Sequence, residues 1–180
     1  MTIIINLISG PGSGKSTLAA ELFVFLKKQN KNVEYLQEYA KKLVWTKKFD
    51  VLNNQHLVTY KYYESIKAMA NVKEIEFVIL DSSLLNGLWY NRNNLDNLSN
   101  IEKTEKLILQ YYQEFNNINF FINRGKHEYN PNGRIQNQSE AKAIDNGLIN
   151  ILDHNKISYH TINIDSKNVI EDIINILSNN

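Results

Sequence analysis

The chain has 180 residues, 43% of them hydrophobic, which suits one domain with a substantial core. Its 20 basic residues nearly balance its 19 acidic residues, so net charge provides no general attraction to nucleic acid. The absence of cysteine excludes disulfides, thiolate metal sites and cysteine nucleophiles. No apolar run reaches membrane-spanning length, and the chain begins directly in a predicted strand, so we expect a soluble, cytoplasmic protein without a signal peptide.

A glycine-rich turn follows the first predicted strand, the apolar run Ile3–Ile8, and precedes a predicted helix over 15–29. Glycines let successive backbone N–H groups face one anion, and a helix start adds the positive end of its dipole. The order of strand, turn and helix predicts a P-loop that binds a nucleoside triphosphate. The residues expected to form it are Gly10, Pro11, Gly12, Ser13, Gly14, Lys15, Ser16 and Thr17.

Two side chains of this loop have predicted roles. Lys15 is expected to contact the β- and γ-phosphates, and the Ser16 hydroxyl to bind Mg²⁺. The usual motif begins with glycine five places before the Gly-Lys pair, where this sequence has Ser9. Because serine is small, we expect the loop to tolerate it. A chance glycine-rich turn is the alternative, and the flanking strand and helix argue against it.

Predicted strands and helices alternate along the rest of the chain. The strands lie at 33–37, 77–81, 119–122 and 158–164, and the helices near 39–45, 51–70, 84–92, 101–115, 139–154 and 169–178. This alternation predicts an α/β three-layer sandwich of the P-loop NTPase type, with a five-stranded parallel sheet and helices on both faces. We expect one domain over residues 1–180, with a lid-like segment at about 124–138.

Ligands of such sheets bind at the carboxyl ends of the strands, where this chain places several charged residues. Asp81 follows the third strand in a Walker B-like position, where we expect it to hold Mg²⁺ through water. Glu38 follows the second strand and is a candidate to accept the proton of an acceptor hydroxyl. Arg124 and Arg134 belong to the lid-like segment, from which they could close over the phosphates.

Each candidate also has an ordinary structural interpretation. Glu38 could favour a helix N-terminus through the dipole, and the two arginines could be solvated surface charges. The tyrosines of the 51–70 helix, and both tryptophans, are more typical of packing than of a binding cleft. The four histidines, among them His127 of the lid-like segment, lack metal-ligand spacing.

Three stretches resemble small P-loop kinases of the thymidylate-kinase and nicotinamide-riboside-kinase type. They are residues 10–17, the run Gln37-Glu38-Tyr39-Ala40-Lys41, and residues 78–82. The resemblance implies a kinase fold, with ATP and Mg²⁺ as co-substrates. It also implies that Lys15, Ser16, Asp81 and the lid arginines are the working residues.

A narrower resemblance is to a group of bacteriophage proteins, some of which are 5-hydroxymethyluracil DNA kinases. It is carried by residues 123–124, 129–134 and 138–142 and by Asp145, and its most specific part is the run ending in Gly133-Arg134. It implies phosphorylation of the base hydroxymethyl group in phage DNA, in the host cytoplasm. Such an enzyme must contact a phosphate backbone, for which the candidates are Lys41-Lys42, Lys47-Lys48 and Lys126.

Three functions remain open at this point. The first is a kinase for 5-hydroxymethyluracil in DNA, and the second is a kinase for a free nucleoside or nucleoside monophosphate, which the near-neutral charge mildly favours. The third is an NTP-hydrolysing switch or binding module that acts on a protein partner. The sequence has no guanine-reading Asn-Lys-x-Asp pattern after the fourth predicted strand, and its length argues against a motor ATPase. The oligomeric state is not predicted.

Overall fold

The structure is a computed structural model that describes residues 1–126 and 128–179. His127 of the predicted lid-like segment, and Asn180 at the end of the predicted domain, lie outside the described residues. No helix within the described residues is long and apolar enough to cross a membrane.

Five parallel strands form one sheet in the order β2-β3-β1-β4-β5. The central strands are nearly uninterrupted apolar runs because helices cover both of their faces. The predicted α/β fold with a five-stranded parallel sheet is therefore confirmed. The strands are β1 (Ile3–Ile8), β2 (Val33–Leu36), β3 (Phe77–Leu80), β4 (Asn116–Asn123) and β5 (His160–Asn163).

The helices cover the two faces of the sheet unequally. On one face, Leu22 of the first helix and Ile173 of the last pack with Phe120 of β4, all fully buried. On the other face, the middle helices form two further apolar clusters, centred on residues such as Ile66 and Ile108. The helices are α1 (Lys15–Lys28), α2 (Tyr39–Trp45), α3 (Phe49–Leu52), α4 (Gln55–Ala70), α5 (Asn86–Asn93), α6 (Ile101–Gln113), α7 (Gln138–His154) and α8 (Val169–Ser178).

Several predicted elements have different bounds in the structure, and three of the differences have a clear physical reason. The helix predicted over 51–70 is two helices, because the Asn54 side chain accepts a hydrogen bond from the Leu57 N–H at 3.0 Å and caps a new start. The fourth strand begins at Asn116 rather than at residue 119, because its polar first residues continue the ladder with β1. The fifth strand is confined to His160–Asn163, the part that pairs with β4.

All strands run in one direction, so their carboxyl ends meet at one edge of the sheet. The loop after β1 contains the P-loop, Glu38 follows β2, Asp81 follows β3, and Arg124 follows β4. Because β1 lies between β3 and β4, the P-loop is flanked by Asp81 on one side and by Arg124 on the other.

Candidate active site

The loop between β1 and α1 turns through two glycines in the left-handed region, Gly12 at φ 73° and Gly14 at φ 99°. Other residues adopt this conformation only with strain. Gly14 is the N-cap of α1, so the first N–H groups of that helix face the loop. At the unusual first position of the motif, the Ser9 hydroxyl lies 2.6 Å from the Ser13 hydroxyl. Serine therefore fits there because it forms a hydrogen bond inside the loop.

Lys15 lies within this loop and is buried. Its ammonium donates hydrogen bonds of 2.8 Å to the backbone carbonyls of Ser9 and Gly10. Burial lowers the pKa of Lys15, and the nearby carboxylates of Glu38 and Asp81 oppose that shift. The loop thus holds a cation at the point where phosphates are expected.

Ser16 and Asp81 form the predicted metal-binding pair. The Ser16 hydroxyl lies 2.9 and 2.8 Å from the two carboxylate oxygens of Asp81, and Asp81 is 3% exposed. A hydroxyl and a carboxylate are the hard oxygen donors that Mg²⁺ prefers, and their separation is close to the roughly 3.0 Å between neighbouring ligands of an octahedral Mg²⁺. These two residues therefore fit the ion. The described residues contain no cluster of three acidic or histidine side chains, so phosphates and water would complete its shell.

The Lys41 side chain also contacts the Ser16–Asp81 pair, and this contact was not predicted from the sequence. Its ammonium donates to the Ser16 hydroxyl at 2.8 Å and lies 3.5 Å from an Asp81 carboxylate oxygen. The sequence indicated Lys41 only as one of several basic residues that could contact a phosphate backbone. The one indication of a role at the site was that Lys41 belongs to the run Gln37–Lys41, which resembles small P-loop kinases.

Glu38 precedes α2 and lies on the wall of the cavity described below. Glu38 is the N-cap residue of α2, where the helix dipole favours an acid, and its side chain forms no capping hydrogen bond. Burial raises the pKa of Glu38, the Asp81 charge raises it further, and Lys15 and Lys41 oppose the shift. A carboxylate with a raised pKa is a stronger proton acceptor than an ordinary glutamate.

Arg124 lies beside the P-loop, where its guanidinium is already bonded. It forms an ion pair with Asp145, and it donates to the carbonyls of Pro11 at 2.7 Å and Ala141 at 3.0 Å. Asp145 in turn accepts a hydrogen bond of 2.6 Å from the Gly10 N–H. The pair therefore connects the P-loop to α7, and Arg124 does not line the cavity. This arrangement differs from the expected free lid cation and favours a positioning role.

Arg134 lies over the P-loop, at the other end of the lid-like segment. Its guanidinium carbon is 5.3 Å from the centre of the Tyr129 ring, a cation–π geometry. A Cβ built on Gly12 would lie 2.6 Å from that ring and 3.6 Å from the Arg134 guanidinium carbon. The segment thus covers the loop, and its Gly133 rests against Trp45 of α2. Lys126, by contrast, donates a hydrogen bond from its backbone N–H to the Asp165 carboxylate.

One cavity of about 860 Å³ connects these groups. The P-loop, Glu38, Lys41, Asp81 and Arg134 line one end of it. The walls beyond them come from α3, α4, α5 and the following segment, and they are both polar and aromatic. Their members include Gln55, Thr59, Tyr62, Asn86, Trp89 and Tyr90. The packing predicted for the tyrosines holds for Tyr62, which is buried and also lines the cavity, whereas the packing predicted for Trp45 is wrong, because its side chain is 62% exposed.

A family model described as AAA domain matches residues 4–170. The chain belongs to this AAA domain family. The match covers the P-loop and every site residue named above, and it establishes the family rather than the reaction. No curated protein sequence matches the chain significantly.

Solved structures with the same fold have little sequence identity with the chain. The NadR protein in complex with NAD and AMP-PNP has a TM-score of 0.73 at 12% identity, covering 99% of this chain and 49% of NadR. This chain therefore spans about half the length of NadR. The YorR protein from Bacillus subtilis, in complex with phosphorylated GDP, has a TM-score of 0.54 at 17% identity, with 98% and 96% covered.

A third structure, deoxyadenosine kinase from M. mycoides with the products dCMP and dCDP, has a TM-score of 0.53 at 19% identity. The alignment covers 99% of both chains, so the two proteins have the same overall extent. At these identities, the similarities show the fold, which is that of small P-loop kinases.

Proposed function

We propose that the protein is an ATP-dependent kinase that transfers the γ-phosphoryl group to a hydroxyl of a nucleoside-type acceptor. The observation that carries this proposal is a cavity whose lining includes Lys15, the Ser16–Asp81 pair, Glu38 and Arg134. Phosphoryl transfer asks a protein chiefly for positioning and for positive charge around the transferred group. This end of the cavity offers both.

The part of the cavity that the P-loop lines would hold the triphosphate. Backbone N–H groups and the Lys15 ammonium would neutralise its β- and γ-phosphates, after Lys15 exchanges its two carbonyl partners for phosphate oxygens. Ser16 and Asp81 would hold Mg²⁺, which supplies further charge neutralisation of the phosphates when bound. Arg124 and Asp145 would keep the loop in place against α7.

Glu38 is the candidate to accept the proton of the acceptor hydroxyl. The acceptor oxygen forms a bond to the γ-phosphorus while the bond from that phosphorus to the bridging oxygen breaks, and ADP leaves. The hydroxyl proton passes to the Glu38 carboxylate, whose raised pKa suits this task. Arg134, from the covering segment, would stabilise the charge on the transferred group.

The rest of the cavity supports a nucleoside-type acceptor. Ligand sites commonly measure about 300–1,000 Å³, so a cavity of about 860 Å³ has room for an acceptor beside the triphosphate. The rings of Trp89 and Tyr90 offer stacking surfaces, and the Gln55 amide offers both a donor and an acceptor. Such walls suit a planar, polar base.

Within this class, we propose 5-hydroxymethyluracil in DNA as the specific acceptor. The support is the resemblance carried by residues 129–134, a segment that covers the P-loop. Exposed Lys42, Lys47 and Lys48 are close in the chain to Trp45 and Phe49, whose side chains are also exposed, and Phe49 lines the cavity as well. Basic and aromatic residues together are typical of surfaces that bind flanking nucleic acid.

Four acceptors tested in parallel distinguish these proposals. Protein, Mg²⁺ and ATP labelled at the γ-phosphate are incubated with DNA containing 5-hydroxymethyluracil, with unmodified DNA, with the free nucleosides and with their monophosphates. Label on the modified DNA alone supports the specific proposal. Label on a free nucleoside or monophosphate keeps the kinase and changes its acceptor. ATP binding without transfer to any acceptor contradicts the proposed activity.

A further inference from the structure

Lys41 has a position that helix electrostatics disfavour. It lies in the first turn of α2, and its ammonium contacts Ser16, which lies in the first turn of α1. Both helix N-termini carry partial positive charge, so a cation placed between them is repelled unless an anion compensates. The buried Asp81 carboxylate, 3.5 Å away, compensates this repulsion, and the charge of Glu38 adds to the attraction. The contact therefore depends on these carboxylates, with Asp81 the one in direct contact, rather than on the helix that carries Lys41.

The ammonium also occupies the place where a metal ion would contact the same two side chains. It touches the Ser16 hydroxyl at 2.8 Å, and that hydroxyl and Asp81 are the oxygen donors assigned above to Mg²⁺. An ion bound to these oxygens would be repelled by the like charge of the ammonium that contacts them. The two cations would therefore compete for the same two side chains.

We infer that Lys41 is a tethered competitor of the metal ion, one that neutralises Asp81 until a divalent cation displaces it. The inference rests on the proposed function only in taking Ser16 and Asp81 as the metal ligands. The Lys41 side chain is 36% exposed, so it has room to move away. It also lines the cavity, so its displaced ammonium remains beside the phosphates.

Loss of the Lys41 charge should therefore change the binding of a metal ion and the binding of metal-free ATP in opposite directions. A metal ion alone must displace the ammonium, so removing the lysine strengthens metal binding. ATP without a metal has the ammonium as a mobile counter-charge, so removing the lysine weakens that binding. A residue that merely supported the fold would weaken both.

The test measures Mn²⁺ binding by the electron paramagnetic resonance signal of free Mn²⁺, without nucleotide or acceptor. We expect Lys41→Met to bind Mn²⁺ about fivefold more tightly than the wild type, as loss of one partly exposed ion pair implies. Lys42→Met is the matched control, since it removes the same charge from the neighbouring exposed position and should leave the affinity unchanged. Lys41→Arg keeps the cation and should also resemble the wild type. Asp81→Asn should abolish the binding.

A second measurement on the same proteins records ATP affinity in the presence of EDTA, where Lys41→Met should bind several-fold more weakly than Lys42→Met. Mn²⁺ affinity that is unchanged or weaker in Lys41→Met, or undetectable in every variant, overturns the inference. Circular dichroism of the variants excludes loss of the fold as the cause. Because neither measurement requires transfer, a protein that shows the predicted metal response and phosphorylates no acceptor retains this inference and loses only the kinase proposal.

Discussion

Ser16 and Asp81 lie within one hydrogen bond of each other, although 65 positions separate them in the chain. The contact exists because β3 pairs directly with β1, so the residue after β3 lies beside the helix that follows the P-loop. Tyr35 of β2 donates a further hydrogen bond of 3.2 Å to Asp81. The order of three strands thus brings together the two residues proposed to bind the metal ion.

Replacement of Lys15 by alanine is expected to lower phosphoryl transfer by about 10³-fold, because no other side chain of the P-loop offers a cation to the phosphates. The fold should persist, since the hydrogen bonds of the ammonium go to carbonyls and hydroxyls of the same loop and not to the sheet or the other helices. Transfer of labelled γ-phosphate and a thermal unfolding curve check both statements. Lys28→Ala, at the exposed end of α1, is the control. Transfer at the wild-type rate in Lys15→Ala would remove this residue from the site.

Replacement of Glu38 by glutamine should lower kcat by about 10²–10⁴-fold, the usual contribution of a general base. Since Glu38 must be ionised to accept a proton, the acidic limb of the wild-type profile should lie above the ordinary pKa of glutamate, about 4.3. That limb should be absent from the residual activity of the variant. The dependence of kcat/KM on pH, recorded for the wild type and for the variant, measures this acidic limb.

The same raised pKa predicts a gain in stability from Glu38→Gln. The folded protein binds the Glu38 proton more tightly than the unfolded chain does, so the folded state is penalised as pH rises from the unfolded pKa through the folded one. At neutral pH, the variant should therefore unfold at a higher temperature than the wild type, while at pH 4 the difference should shrink. A variant that is less stable at neutral pH contradicts the burial argument.

The Arg124–Asp145 pair should stabilise both the fold and the P-loop. Each side chain is 14% exposed, so Arg124→Ala leaves a mostly buried carboxylate without its cation and should cost about 2–3 kcal/mol of unfolding free energy. The affinity for ATP should fall as well, because Asp145 also accepts a hydrogen bond from the Gly10 N–H of the P-loop. Arg92→Ala is the matched control, since Arg92 pairs with Glu105 while 61% exposed and should cost less than about 1 kcal/mol. Denaturant unfolding and calorimetric ATP titration are the measurements.

Replacement of Arg134 by alanine should lower kcat by about 10²-fold or more and change ATP affinity little, because its charge is needed chiefly on the transferred group. Tyr129→Leu removes the ring on which the guanidinium rests and should give a smaller loss of the same kind. Single-turnover kinetics separate the chemical step from binding. If Arg134→Ala instead raises the Kd of ATP and leaves the chemical step unchanged, the residue binds substrate only.

Local sequence predicted the elements better than their contacts. The apolar runs of β1 and β3 identify central strands, and the P-loop follows from its glycines and flanking elements. The break before α4 was missed because apolar periodicity continues across it, although Asn54 is a good N-cap residue. The polar start of β4 was missed because Asn116 is exposed and pairs only through its backbone.

The sequence indicated most of the charged residues that line the cavity, but it did not indicate which side chains pair with each other. The bond between Lys41 and Asp81 joins positions 40 apart, and it depends on β2 lying beside β3, which periodicity does not specify. Arg124 was expected to close over the phosphates as part of the lid-like segment, and its ion pair with Asp145 of α7 was not predicted. The contact of Tyr129 with Gly12 likewise requires the path of an irregular segment. Long-range contacts of this kind follow from strand order, not from local pattern.

The ratio of phosphorylated acceptor to ADP, measured in one reaction with ATP and Mg²⁺, tests the kinase proposal most directly. A kinase predicts about one phosphorylated acceptor for each ADP, little ADP without acceptor, and neither product with Lys15→Ala. ADP and free phosphate formed at the same rate with or without any nucleoside-type acceptor would contradict the proposal and indicate hydrolysis as the activity of this site.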